Sequence, residues 1–381
     1  MKYKKINYIW LGILAACSHP AKDSMDTDSF EVSVVDSIRI DYLGNLFVMD
    51  HDPTSGLYLS RNNSTDEIVL FDDTGKISEQ FTFQKDGPDA VGWTLGLGFV
   101  EGKVAVMDTE MGITVFNANG TLSKRITIPK DYFFINALNF PVRQLGDKLA
   151  YYRPERGVFD WQNQAEMFKG IYKSPLIEVL DTLTGSIHQT LFFPPNTLYE
   201  DGNFYHWMFP IMIKDGDEWL VSLMAERKYH VYIENGDELE YSRTIDLLVD
   251  DAVDIKGVPL NNIMGMQEAN RFNVFGKIEQ LYTHDGLILV VYTKGVKEEV
   301  AMQYNPENSK EWGKLIQGIP RYLAVFSRDH QLLRKDLPLP EGIHLTPVIN
   351  NLGEILVIKN QEFWGVEEEF VTFYKMKLLK R

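Results

Sequence analysis

Cysteine is almost absent from this chain of 381 residues, and several signatures of catalysis are missing with it. Cys17 is the only cysteine, so neither an internal disulfide nor a multi-cysteine zinc site can form. There is no HExxH or GxSxG motif, no phosphate-cradling glycine loop and no Cys/His cluster with zinc spacing. Acidic residues outnumber basic ones, and the formal net charge of -16 disfavours nucleic acid as a partner. These absences favour a non-enzymatic binding role.

Long apolar runs are also missing, apart from one at the N-terminus. Lys2, Lys4 and Lys5 precede a short apolar run that ends at Ala16. A basic region followed by an apolar core and small residues predicts a secretory signal peptide over residues 1–16. No later stretch is both long and apolar enough to be a transmembrane helix. The sequence therefore predicts an exported protein without a membrane span.

The end of this signal also predicts a lipid anchor. The segment Leu14-Ala15-Ala16-Cys17 resembles the lipobox of bacterial lipoproteins, which implies cleavage before Cys17 and acylation of its thiol. The alternative is an ordinary secretory peptide with an incidental cysteine. Residues 17–29 are then a flexible lipidated tether, and residues 30–381 are a single folded domain. The membrane is contacted through the lipid only.

A repeated hairpin is the strongest internal pattern. Each copy has an apolar strand, a tight turn and a second strand with charges on alternate residues, as expected of an inner strand beside a half-exposed outer one. The copies begin at Ile68, Ile113, Ile177, Tyr229 and Leu323. Each copy follows another strand pair, so a unit contains four antiparallel strands, as in one propeller blade. The five full units span residues 46–83, 95–128, 135–193, 204–247 and 276–339.

A sixth unit begins near Gly342 but contains only three strands, the last of which is FVTFYKMKL from Phe370. The segment FEVSVVDSIRI from Phe30 alternates correctly and has no partner of its own, so it is predicted to supply the missing strand. This pairing would close the ring and remove its exposed edges. We therefore predict an all-β, six-bladed β-propeller. Seven blades are the alternative, because residues 249–275 are long enough to contain a degenerate blade.

These features resemble the TolB-like six-bladed propeller lipoproteins of Bacteroidota. The resemblance rests on the signal, the lipobox and hairpin turns such as Phe71-Asp72-Asp73-Thr74-Gly75-Lys76, and it covers nearly the whole mature chain. Many members of that group have no assigned function. The resemblance implies the fold and a place in the cell envelope, at the outer membrane, and leaves open the periplasmic or surface side.

The long connections of the predicted propeller are expected to share one face. They span residues 84–94, 153–175, 194–203, 248–275 and 294–319, and all fall between strands d and a or between strands b and c. Long insertions cost little loop-closure free energy and are tolerated on either face. Their confinement to one face is therefore not required for stability and indicates a binding surface. Aromatic and guanidinium side chains in or beside them are the candidate ligand-binding residues, for a protein, peptide or glycan. They are Trp93, Arg153, Arg156, Trp161, Trp207, Arg271, Trp312, Arg321 and Trp364, whereas Trp219 is predicted to lie in the core.

The alternative function is a metal-dependent hydrolase, similar to the six-bladed propellers that hydrolyse lactones with a calcium ion in the channel. Asp50-His51-Asp52 and Asp108-Thr109-Glu110 could supply ligands. Because the first triplet is predicted on the short-turn face and the second on the long-loop face, we expect them not to converge. Neither His206 nor His230 has a recognisable nucleophile and acid in the sequence with which it could form a catalytic triad. No cofactor, no catalytic residue and no metal ligand is therefore predicted.

Overall fold

Short segments of alternating apolar and polar residues form six four-stranded antiparallel sheets in the computed structural model. The structure describes residues 29–87, 90–109, 112–129, 132–135, 140–156 and 162–380. The predicted signal peptide, the predicted acylation site Cys17 and the candidates Glu110 and Trp161 lie outside these ranges.

The first described strand, β1 (Phe30–Ile40), belongs to the last sheet, and the next strands build the first two blades. Blade 1 contains β2 (Phe47–Asp52), β3 (Leu57–Asn62), β4 (Glu67–Phe71) and β5 (Ile77–Thr82). Blade 2 contains β6 (Thr94–Val100), β7 (Lys103–Asp108), β8 (Gly112–Phe116) and β9 (Leu122–Ile126). In both blades the chain runs outward from the innermost strand.

Blades 3 and 4 are separated by longer connections. The strand β10 (Tyr132–Ile135) precedes blade 3, which contains β11 (Arg143–Leu145), β12 (Lys148–Tyr152), an insertion with β13 (Pro154–Arg156) and helix α1 (Gln164–Ile171), then β14 (Ile177–Leu180) and β15 (Ile187–Thr190). A 3₁₀ turn (Leu198–Glu200) and β16 (Asn203–Phe204) lead to blade 4, which contains β17 (Ile211–Asp215), β18 (Glu218–Ser222), β19 (Lys228–Asn235) and β20 (Glu238–Asp246).

Blade 5 follows a connection with β21 (Val258–Pro259), a 3₁₀ segment (Leu260–Gly265), helix α2 (Met266–Ala269) and β22 (Val274–Phe275). The blade contains β23 (Ile278–His284), β24 (Leu287–Thr293), an insertion with β25 (Gly295–Val296), α3 (Glu298–Ala301) and α4 (Ser309–Gln317), then β26 (Arg321–Ser327) and β27 (Leu332–Pro338). Blade 6 contains β28 (Ile343–Ile349), β29 (Glu354–Lys359), helix α5 (Gln361–Trp364), β30 (Val371–Lys380) and β1.

The six-bladed prediction is thus confirmed, and the seven-bladed alternative is wrong. Residues 249–275 form turns, a 3₁₀ segment, one short helix and two two-residue strands that pair with β16 and β25 instead of forming a blade. Their glycine, proline and asparagine content favours turns over a continuous strand. Among the described residues, no helix has the length and apolarity needed to cross a membrane.

Pairing of β1 with β30 closes the ring, as predicted from the sequence. The two strands are antiparallel, with Phe30 opposite Lys380 and Ile40 opposite Val371. Ile38 and Ile40 are buried between blades 6 and 1, where the ring of Phe373 stacks on that of Phe71 at 5.5 Å. The two ends of the chain therefore contribute to the same hydrophobic cluster.

Gly75 shows how closely blade 1 approaches this closing strand. The residue has a φ of 83°, as the hairpin turn after β4 requires. A Cβ atom at this position would collide with the backbone carbonyl of Arg39 in β1. Glycine is thus needed here both for the turn and for the contact between the first and last blades.

We expect Ile38→Ala to lower the free energy of unfolding by about 2–5 kcal/mol, because it leaves a cavity in the cluster that closes the ring. Ile38 is 1% exposed, whereas Val34 in the same strand is 44% exposed. Val34→Ala is therefore the control and should change stability by less than about 1 kcal/mol. Urea unfolding of both variants is the measurement. Similar losses for the two would contradict a closing role for the buried face of β1.

Candidate functional site

The two faces of the propeller differ strongly in how the strands are connected. On one face lie the turns between strands a and b and between strands c and d, and the longest of these spans only residues 181–186. On the other face lie all the long connections, including residues 153–176, 191–210, 247–277 and 294–320. We call these the short-turn face and the long-loop face. The predicted segregation of the long connections is confirmed.

A cavity of about 840 Å³ opens on the long-loop face above blade 5. Its size lies in the range of small-molecule sites in proteins, and most of its lining side chains are apolar. Four connections supply its walls, which come from α1, from residues 204–207, from the segment 255–275 and from α4. The top edges of the blade 5 strands supply its floor. The site is therefore built by insertions that meet over one blade.

Aromatic rings form one wall of the cavity. The ring of Phe168 on α1 contacts those of Phe204 and Trp207 edge to face, at centroid distances of 4.6 and 4.8 Å. Trp312 and Ile316 from α4 also line the cavity. Such edge-to-face aromatic pairs stabilise each other beyond the area they bury, so this wall is fixed before any ligand arrives.

Three of the four charged lining residues, Lys277, Glu279 and Arg321, lie on the floor. Thr293 pairs with Arg321 across β24 and β26, and the Thr293 amide donates a hydrogen bond to the Lys277 carbonyl. Directly opposed residues of antiparallel strands point to the same side, so Thr293 and Arg321 share one surface, and Lys277, which directly precedes β23, lines the same cavity. Arg321 Nε donates to Glu279 Oε2 at 2.6 Å. Among the residues that the structure describes, Lys277 Nζ and the Thr293 hydroxyl have no hydrogen-bond partner.

The rim of the cavity carries further ionisable groups. Arg271 Nη2 pairs with Glu307 at 2.7 Å, and both side chains are largely exposed. Desolvation lowers the pKa of His206, so its imidazole is neutral at pH 7. The fixed charges of the lining residues are therefore Lys277, Arg321 and Arg271 against Glu279. The lining is net positive in a chain whose overall charge is strongly negative.

Of the nine predicted ligand-binding residues, the structure brings four together in this cavity. They are Trp207, Arg271, Trp312 and Arg321. Trp93 and Trp364 also lie on the long-loop face, but they are 74% and 52% exposed and do not line the cavity. Trp161 lies outside the described residues. The binding role of each residue stays a prediction.

Arg153 and Arg156 are held by internal contacts instead. Arg153 Nη2 donates to Glu155 Oε2 at 2.6 Å, and burial raises the pKa of Glu155 while the guanidinium opposes this shift. Arg156 binds the buried carboxylate of Glu178 through Nε and Nη2, at 2.9 and 2.6 Å. Arg153 thus links the two ends of the insertion of blade 3 and Arg156 anchors it to β14, and neither lines the cavity.

The other singled-out residues also have internal partners. Asp50 accepts hydrogen bonds from the Phe99 amide and from Arg143, at 2.8 and 3.1 Å, at the short-turn end of its strand. Asp108 lies at the long-loop end of β7, so the described residues of the two acidic triplets lie on opposite faces. Buried His230 contacts Glu226 at 3.2 Å. Trp219 is fully buried, as predicted.

Within the described ranges, one group of three side chains has donor atoms close enough to share a metal ion. It comprises His188, Asp237 and Glu238, with donor atoms within 4.8 Å of one another. His188 and Glu238 lie in the outermost strands of blades 3 and 4, and Asp237 lies in the short turn before the second of these strands. The group is therefore at the outer edge of the propeller, away from the central channel. The group therefore does not correspond to the channel-centred metal of the hydrolase alternative.

Sequence reasoning missed the residues of the cavity floor. Lys277, Glu279 and Thr293 lie at strand ends that look like ordinary blade positions. Their one sequence signal is their place beside the two longest connections, 247–277 and 294–320. The apolar walls were missed as well, because side chains such as Ile263 and Met266 sit in segments without regular periodicity.

The comparisons with known proteins support the fold. A member of the DUF4221 family from Bacteroides vulgatus superposes with a TM-score of 0.66 at 13% identity, covering 93% of this chain and 100% of that one. A candidate exported protein from Bacteroides fragilis gives a TM-score of 0.55 at 10% identity, covering 93% of this chain and 98% of that one. No family model matches the chain, and no curated protein matches its sequence. The chain is thus a six-bladed β-propeller similar to these Bacteroides proteins.

Arg156→Ala should destabilise the protein by about 3 kcal/mol, because it leaves the Glu178 carboxylate buried without its cationic partner. Arg271→Ala is the matched control, since Arg271 and Glu307 are exposed and their pair should contribute less than about 1 kcal/mol. Denaturant unfolding near neutral pH compares the two variants. Equal, small effects would show that Arg156 does not anchor the insertion.

Proposed function

We propose that this protein is an exported lipoprotein that binds a largely apolar ligand in the long-loop cavity, without chemical turnover. The observation that carries the proposal is the cavity itself, which four separate connections build over one blade. The sequence alone favours a protein, peptide or glycan ligand. The apolar lining narrows this to a small amphipathic molecule or an apolar segment of an envelope protein.

Exposed apolar side chains at the rim support a binding role. Met264 is 85% exposed and Ile316 is 40% exposed, and both line the cavity. Isolated exposed apolar residues are common on proteins, but apolar side chains grouped at the mouth of a concave site are typical of ligand entry. A ligand in the cavity would cover both side chains.

Export and lipid anchoring are proposed from the N-terminal sequence. The signal and the lipobox-like segment that ends at Cys17 support them, and the structurally similar Bacteroides fragilis protein is a candidate for export. Multiple acyl chains are needed for firm attachment, since each buried methylene adds about 0.8 kcal/mol and one chain alone binds reversibly. The resemblance to TolB-like lipoproteins favours the outer membrane.

The geometry of the closing strand also supports a defined orientation. Phe30 pairs with Lys380 at the short-turn end of blade 6, whereas Ile40 lies at the long-loop end. The tether from Cys17 therefore enters the propeller on the face opposite the cavity. Twelve residues, 18–29, can span at most about 40 Å when fully extended. We propose that the anchored protein presents its cavity away from the membrane.

A neutral fluorescent dye, N-phenyl-1-naphthylamine, tests the binding site. We expect saturable binding of one dye per chain, weakened about fivefold or more by Ile316→Asp because a charge on the apolar wall must be desolvated. Val300→Asp is the matched control, since Val300 on neighbouring α3 is 41% exposed and does not line the cavity. Fluorescence titration of both folded variants is the measurement. Absence of saturable binding, or equal weakening, would contradict the proposal.

Cys17→Ser tests the anchor. We expect the wild-type chain to incorporate labelled palmitate in bacteria that process lipoproteins and to fractionate with membranes, because the acyl chains partition into the bilayer. The variant should lose the label and leave the membrane fraction. Ser18→Ala, beside the anchor, is the control and should keep both. An unlabelled wild-type chain, or a label that persists in Cys17→Ser, would contradict acylation at this residue.

A further inference from the structure

The floor of the cavity carries most of its charged side chains, whereas the walls combine apolar and uncharged polar side chains with Arg271 at the rim. Lys277, Thr293 and Arg321 lie side by side across three strands of blade 5, beneath apolar side chains of α1, α2 and α4. Thr293 is only 4% exposed, yet its hydroxyl has no hydrogen-bond partner among the described residues. Because Thr293 lines the cavity, this hydroxyl is open to it and is available to hydrogen-bond a ligand atom.

The cationic side chains beside Thr293 also have hydrogen-bond donors without an acceptor among the described residues. Lys277 Nζ has no acceptor within the described structure, and Arg321 uses Nε toward Glu279 while its two Nη atoms make no hydrogen bond to a described residue. The floor therefore offers an ammonium, a hydroxyl and guanidinium N–H groups on one surface. All can donate hydrogen bonds, and charge-assisted hydrogen bonds to a carboxylate are stronger than neutral ones.

The charge of the floor indicates how much negative charge the ligand carries. Lys277 and Arg321 are positive and Glu279 is negative, which leaves one positive charge in excess. A single carboxylate would neutralise this excess, whereas a phosphate with nearly two charges would leave a buried negative charge unpaired. Arg271 does not change this balance, because it pairs with Glu307 at the rim.

We propose that the cavity binds an amphipathic monocarboxylate, with the carboxylate on Lys277, Thr293 and Arg321 and an apolar chain or ring against the walls. This inference rests on the proposed function, because it assigns the ligand class of the same cavity. The apolar body supplies most of the affinity through burial, and the floor selects for the charge and orients the ligand.

Displacement of bound N-phenyl-1-naphthylamine by matched twelve-carbon probes tests this assignment. Dodecanoate should displace the dye about tenfold better than dodecanol, as expected for a charge-assisted hydrogen bond at the floor. Dodecyl phosphate at about pH 8, where it carries nearly two charges, should bind more weakly than dodecanoate. Equal or tighter binding of dodecyl phosphate would overturn the carboxylate assignment in favour of a phosphate ligand.

Variants of the floor separate the carboxylate site from general apolar binding. Lys277→Met should abolish the preference for dodecanoate over dodecanol while leaving dodecanol binding unchanged, and Lys277→Arg should retain it. Thr293→Val keeps the side-chain volume and should reduce dodecanoate binding about threefold to fivefold. Lys314→Met, at an exposed lysine of α4 that does not line the cavity, is the matched control and should keep the full preference.

The outcomes distinguish this inference from the proposed function. If the dye binds but the two probes displace it equally from the wild-type chain, the cavity remains an apolar site and the carboxylate assignment is wrong. If the preference exists but survives in Lys277→Met, the cation lies elsewhere and the floor assignment is wrong. If the dye itself does not bind saturably, the proposed function fails first.

Discussion

Antiparallel pairing between β1 and β30 is the constraint on which the rest of the structure depends. It joins segments about 330 residues apart, and bringing such distant segments together costs roughly 5 kcal/mol of chain entropy. Burial of Phe30, Ile38 and Ile40 offsets this cost, since each large apolar side chain contributes about 1.5–3 kcal/mol. Without this strand, β30 would present an unpaired edge, which is a template for aggregation. The ring therefore closes because β1 buries apolar side chains in the clusters on both sides of blade 6, Phe30 toward blade 5 and Ile38 and Ile40 toward blade 1.

Closure also determines where a binding site can form. In a closed ring of blades with the same strand order, connections alternate strictly between two faces, so every insertion between strands b and c or between strands d and a meets the others on one side. The strand ends of blade 5 supply a floor fixed by the hydrogen-bonding register, with Thr293 opposite Arg321. The insertions supply the walls. Rigid sheet edges thus position the polar groups, and variable connections shape the apolar volume.

The sequence was sufficient for the fold because the blade pattern is local. The strand period of two, the tight turns with glycines such as Gly75 and the unpaired segment from Phe30 together predict six blades and their closure. The sequence was only partly sufficient to predict the residues of the candidate site. Trp207, Trp312, Arg271 and Arg321 could be found because they lie in or beside long connections. Lys277 and Thr293 could not, because only the three-dimensional register of blade 5 aligns them.

Arginines on the long-loop face show why residue type alone misleads. Arg156 lies within one long insertion and Arg321 directly follows another, but two nitrogens of Arg156 bind the buried carboxylate of Glu178. Sequence does not reveal that Glu178, within an apolar strand, needs a cation. A buried carboxylate needs a cationic partner. The guanidinium that pairs with Glu178 therefore has fewer N–H groups left to bind a ligand. Arg321 donates only Nε to Glu279, and its Nη groups make no hydrogen bond to a described residue.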